Sequence, residues 1–123
     1  MAVTYTTAVK NARLDAVTTA IGATGVLEIG TTGMASILAS ISLNNPAAAG
    51  AASAVLTFSG FPKNATAGNT GTAAAARIRT GTGGTDIVTG LTVGTSGSDI
   101  NLNSTSITSG QTVTISSATI THA

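Results

Sequence analysis

A mainly β domain is predicted by this 123-residue chain: an antiparallel sandwich or jelly-roll-like fold of about seven or eight short strands behind one short N-terminal amphipathic helix. Three observations predict it. From Gly25 onward apolar residues recur at period two, the spacing of a strand with one buried face. Gly, Asn, Ser and Pro clusters interrupt these runs at sandwich-like intervals. Only one segment, at 6–21, carries helical spacing. The whole chain is read as one domain, with residues 1–22 as a helix or arm and 25–123 as the sandwich.

In the helix, Leu14, Val17, Ala20 and Ile21 fall on one stripe, while Lys10, Arg13 and Asp15 lie on or near the other face. Thr6 or Thr7 can cap its start and Gly22 can end it. The narrow stripe must lie on the sheet of its own domain or on a neighbouring subunit, so Leu14, Val17 and Ile21 are candidate interaction residues. Residues 25–30 then read as a strand between glycines. After a turn at 31–33, Ile37, Ala39, Ile41 and Leu43 alternate with Leu38, Ser40 and Ser42 until Asn44-Asn45-Pro46 breaks the pattern. The Ala/Gly-rich stretch 47–53 is expected as a loop or edge segment.

Residues 55–59 form a further expected strand, ended by Gly60-Phe61-Pro62, and the polar stretch 63–71 an exposed mobile loop. Ala74, Ala76 and Ile78 alternate with Ala75, Arg77 and Arg79, placing both arginines on one side of a strand. The 81–84 turn makes a hairpin-like connection to 86–89, with Leu91 and Val93 continuing it. Ile100 and Leu102 alternate with Asn101 and Asn103, and Ile107 leads into a turn at 108–111. Val113 and Ile115, then Ala118 and Ile120, form the closing strand. The parity shift at Ser116-Ser117 predicts a β-bulge.

Composition bounds the function. The chain has five basic and four acidic side chains, one histidine, two phenylalanines, one tyrosine and neither cysteine nor tryptophan. Acid–base and nucleophilic catalysis need groups that titrate or attack, and these are too sparse to expect an enzyme. A net charge of +1 without a basic stripe or stacking aromatics argues against nucleic acid as a partner. The longest uncharged stretches are interrupted by polar residues, so no membrane-spanning helix is expected. The opening Met1-Ala2-Val3-Thr4-Tyr5 lacks a basic region followed by an apolar run, and the expectation is a protein made in the cytoplasm. With so few bulky apolar residues, association with copies of itself or with a larger lattice would supply stability.

Candidate sites are few. His122 has no second histidine or nearby carboxylate in sequence and reads as a solvent-facing tail residue. The stretches 81–87 and 94–103 offer oxygens for Ca²⁺ but lack the carboxylate density of a calcium loop; turn chemistry explains both. Arg77 and Arg79 are the best interaction candidates. Either they meet a neighbour's carboxylates or they keep an edge strand soluble and unpaired. No catalytic residue, cofactor or metal ligand is expected.

The segments YTTAVKNARLDAV at 5–17, AVLTF at 54–58, and VGTSGSDINLNSTSI at 93–107 followed by SGQTV at 109–113 resemble a group of small virion structural proteins of tailed bacteriophages and prophages. The resemblance covers most of the chain and brings no catalytic or binding residues with it. Many such proteins carry a longer segment where this chain has Gly30-Thr31-Thr32-Gly33-Met34. It implies a protein made in the host cytoplasm and built into the virion, with itself as a dimer or trimer and a major capsid or other virion protein as partners. A capsid decoration (cement) protein is the leading expectation. A tail, neck or fibre component touching the host surface is the alternative. A bacterial carbohydrate-binding or adhesin module stands third, since it would want the stacking aromatics this chain lacks.

Overall fold

Thr6 stands in extended conformation with its hydroxyl accepting from the Val9 N–H at 3.4 Å, and the chain turns from it directly into helix α1 (Thr7–Ile21). Gly22 ends the helix at φ 74°, a conformation that suits a residue without Cβ, and its N–H closes on the Thr18 carbonyl. The computed structural model describes residues 4–81 and 83–122. Residues 1–3, 82 and 123 lie outside them, and with them the start of the expected N-terminal arm and one residue of the 81–84 turn.

Among the described residues eleven strands follow: β1 (Val26–Gly30), β2 (Ile37–Ser42), β3 (Val55–Thr57), β4 (Lys63–Thr66), β5 (Gly71–Thr72), β6 (Ala75–Arg79), β7 (Asp86–Leu91), β8 (Val93–Gly94), β9 (Ile100–Leu102), β10 (Ser106–Ile107) and β11 (Thr112–Thr121). They exceed the expected seven or eight because several are only two or three residues long, below what periodicity detects. One sheet has the order β2-β1-β6-β7. The other has the order β3-β11-β9-β8, with β4 also paired to β11, and β5 and β10 form a separate two-stranded ladder. The architecture is β-sandwich-like. One hydrophobic cluster joins Leu27, Ile29, Ile41, Ala76 and Ile78 of the first sheet to Leu56, Ile100, Leu102, Val113 and Ile115 of the second. Many of its members are alanines, so burial per residue is low and close approach of the backbones must compensate.

Most expected strands form where their apolar residues alternate. The bulge predicted at Ser116-Ser117 is present as a register shift between Ile115 and Ser117 against β9. A second bulge at Leu38, where Ile29 faces Ala39 but Gly30 faces Ile37, buries both Leu38 and Ala39. Gly30 lies tight under the turn after it: a Cβ there would meet the Ser36 carbonyl oxygen at 2.7 Å. Residues 47–53 are a loop as expected, tied to β3 and the residue after it by isolated bridges Ala52↔Val55 and Ala48↔Phe58, with Ala47 and Ala48 buried.

Three expectations are corrected. The polar stretch 63–71 is not a mobile loop: Lys63–Thr66 is β4, in ladder with β11 from Thr112↔Thr66 to Ile115↔Lys63, and Ala67 is buried. Its apolar positions are alanines, too weak a contrast to register as a strand until a distant partner supplies the hydrogen bonds. Leu91 and Val93 do not continue one strand, because the chain leaves the first sheet at Thr92 and enters the second. There β8 pairs parallel with β9, so the fold is not wholly antiparallel. Finally, β6 is no edge strand, since it lies between β1 and β7.

Candidate interaction surface

The first sheet has a core face and an outer face, and register decides what each presents. Leu27 and Ile29 of β1 point inward with their cross-strand neighbours Ile41 and Ala39 on β2 and Ile78 and Ala76 on β6. The alternate residues face out. One row across the sheet is Ser40, Glu28 and Arg77; the next is Ser42, Val26, Arg79 and Asp86. The alternation that sends Ala76 and Ile78 inward thus puts both arginines beside the Glu28 carboxylate.

Glu28 is 5% exposed on a central strand. Its Oε1 accepts from Arg77 Nε at 2.7 Å and lies 3.8 Å from an Arg79 terminal nitrogen. Arg79 donates from its other terminal nitrogen to the Gly84 carbonyl at 2.6 Å, in the connection between β6 and β7. Its Nε sits 2.8 Å from Asp86 Oδ1, off the N–H axis, so that contact is ionic without being a hydrogen bond. Two guanidiniums and two carboxylates therefore form one network of zero net charge. The two arginine side chains keep only 22% and 21% of their surface exposed. A buried carboxylate is tolerated at this depth because a charge-assisted hydrogen bond from Arg77 and the nearby Arg79 charge replace its water.

These placements revise the sequence expectations. Arg77 and Arg79 share a face as read, but their charges are met by Glu28 and Asp86 of the same chain rather than held out for a neighbour's carboxylates. Leu14 and Ile21, 4% and 1% exposed, belong to the chain's own core, and Val17 packs half-buried against it. Helix α1 lies on β3 and β7, one strand from each sheet. It also holds the loop before β3, where Asp15 Oδ1 accepts from the Ala51 N–H at 2.7 Å and Asn11 Oδ1 from the Ala54 N–H at 3.0 Å. Of the two supports weighed for the stripe, its own domain supplies the contact.

His122 is not a free tail residue. It is half-buried, its N–H reaches the Ala54 carbonyl, and its ring meets Tyr5 edge-on at 6.0 Å while Arg13 sits 4.6 Å over the Tyr5 ring. The expected turn chemistry accounts for both glycine-rich stretches. Asp99 Oδ2 accepts from the Thr92 N–H and Thr92 Oγ1 from the Asp99 N–H, both at 3.0 Å. Asn101 Oδ1 takes the Ser98 N–H, and Thr80 Oγ1 takes the Thr85 N–H. Among the described residues no three His, Cys, Asp or Glu side chains converge as a metal site, and no helix is long and apolar enough to cross a membrane.

Sequence reasoning passed over Glu28. Its signal was present: a carboxylate inside Val26-Leu27-Glu28-Ile29 of so sparsely charged a chain needs a cation, and the two arginines at period two are the only closely paired ones. A second feature emerged only in three dimensions. A cleft of about 220 Å³ opens between β2 and the end of β4, lined by Ile37, Leu38, Ala39, Ser40, Thr66 and Gly68. Comparison with protein-family models, with curated proteins and with solved structures finds no match for the chain.

Proposed function

We propose that this protein is a non-enzymatic structural component of a tailed-phage particle, a capsid decoration protein that docks on the head lattice and adds many modest contacts over many copies. The observation that carries the reading is the outer face of β2-β1-β6-β7. On this face charge is neutralised internally, Val26 and Glu28 are buried, and the exposed groups include the hydroxyls of Ser40 and Ser42, suited to repeated polar contact. The segments that resemble virion proteins fall on α1, β3, β8, β9, β10 and the start of β11. They support a shared scaffold and leave this face to vary with the partner. Self-association and a major capsid protein are the partners this reading implies.

Removing the helix cannot test docking, since Leu14 and Ile21 are core residues. The better probe is Ser42→Lys, an exposed change on the outer face. Purified wild-type protein should co-sediment with expanded heads of the phage or prophage that encodes it, and Ser42→Lys should bind at least ~10-fold more weakly with unchanged thermal stability. Immunogold label over the whole head supports decoration. Label at one vertex would move the protein to the tail or neck, and particles without label would overturn the virion reading.

A further inference from the structure

Helix α1 is apolar on two opposite sides. Leu14, Val17 and Ile21 take the core side, while Val9, Ala12, Ala16 and Ala20 return at steps of three and four residues to the outer side, where all four are exposed. A surface helix ordinarily turns its charged residues to solvent opposite the core stripe. In α1 the charges stand on the flanks instead, Lys10 and Arg13 along one edge of the outer face and Asp15 along the other. Val9, 42% exposed, and Tyr5, 43% exposed and just before the cap, are the large hydrophobic side chains left in solvent among the described residues.

The flanking charges are also unmet. Arg77 and Arg79 of the first sheet are answered by Glu28 and Asp86, but among the described residues Lys10, Arg13 and Asp15 enter no ion pair. The Arg13 guanidinium lies 4.6 Å over the Tyr5 ring, which holds it in place and leaves its N–H edge without an acceptor among the described residues. Asp15 gives Oδ1 to the Ala51 N–H, and its Oδ2 has no partner among them.

This pattern complements itself in one arrangement. When two copies pack outer face to outer face with helices parallel about a twofold axis, the basic edge of each helix lies against the acidic edge of the other, and opposite charges meet twice. With helices antiparallel about a twofold, like edges meet and repel. Ala12 and Ala16 at the centre let the helices approach to the short end of the ~8–10 Å interaxial range.

We propose that the outer face of α1 is a dimer interface occupied by a second copy of this chain, with the two helices parallel and Arg13 of each protomer beside the partner's Asp15. One helix face is small against the ~800 Å² per partner of a standard interface, so the dimer is weak and reversible. Dimerisation is measured without phage heads, so its outcome and that of the docking test stand independently.

Sedimentation equilibrium of the full chain from about 1 μM to 1 mM should show a monomer–dimer equilibrium. Val9→Asp should raise the dissociation constant at least ~10-fold, with thermal unfolding at low concentration unchanged because the position is exposed. Arg13→Glu, which sets like charges against Asp15, should raise it at least ~3-fold. The chain has no cysteine, so single cysteines report the arrangement. Val9→Cys and Ala16→Cys lie ~10.5 Å apart along the helix; parallel helices let each variant form a disulfide with its own copy on mild oxidation, whereas antiparallel helices allow this at one of them at most. A wild type that stays monomeric, a dimer that survives Val9→Asp, or self-linking at fewer than both cysteines would overturn the proposal.

Discussion

The two sheets of this sandwich satisfy their polar groups by different means. The β2-β1-β6-β7 sheet concentrates four of the chain's charges in one network around the buried Glu28 carboxylate. The sheet built on β11 instead uses neutral amides and hydroxyls: Asn101 Nδ2 donates to Ser117 Oγ at 2.9 Å, Thr114 Oγ1 to Asn64 Oδ1 at 2.8 Å, and Ser116 Oγ to the Asn101 carbonyl at 3.1 Å. The contrast is one of risk. An ion network with a buried member is intolerant of losing one partner, whereas neutral ladders near solvent lose single bonds cheaply because water replaces them.

The largest expected effect breaks the ionic side. Arg77→Leu strands Glu28 beside a distant Arg79 and should cost about 3 kcal/mol in urea unfolding, while Glu28→Leu/Arg77→Leu should recover more than half of that loss. Additive losses in that cycle would show that the pair is not the unit described. On the neutral side, Asn101→Ala removes both the Ser117 bond and the acceptor for the Ser98 N–H. It should cost about 1–2 kcal/mol, read as a lower urea midpoint at constant slope. Smallest of all is Thr114→Val, which deletes the exposed bond to Asn64 while keeping shape and β propensity. Its midpoint should stay within about 0.5 kcal/mol of wild type. A Thr114 loss equal to that of Arg77 would erase the difference between the sheets.

How much of this was visible in advance varies element by element. Helix α1 could be bounded to within a residue, with Thr6 or Thr7 as its cap, because Thr6 and Gly22 act locally, through a hydroxyl and a left-handed φ. The bulge at Ser116-Ser117 was visible because Ile115 and Ala118 are apolar on either side of a parity break. β4 was hidden because Ala65 and Ala67 differ too little from their polar neighbours. The surface was half visible: the shared face of Arg77 and Arg79 follows from period two, but the carboxylates that hold them lie 49 and 7 residues away from Arg77 and Arg79, on β1 and β7. The cleft beside β2 and β4 had no sequence trace at all, since residues 63–66 did not read as a strand.

By itself the sequence determined a β-rich chain with one capped helix, a core light in bulky residues, and charges so few that any buried one would need a partner within the chain. Only the tertiary structure decided that Leu14 and Ile21 serve the core, that Arg77 and Arg79 answer to Glu28 and Asp86, and that residues 63–66 pair with β11. The physical reason is range. Caps, turns and alternation act through neighbours along the chain, while ion pairing and strand edges depend on which distant segments the packing of a common core brings side by side.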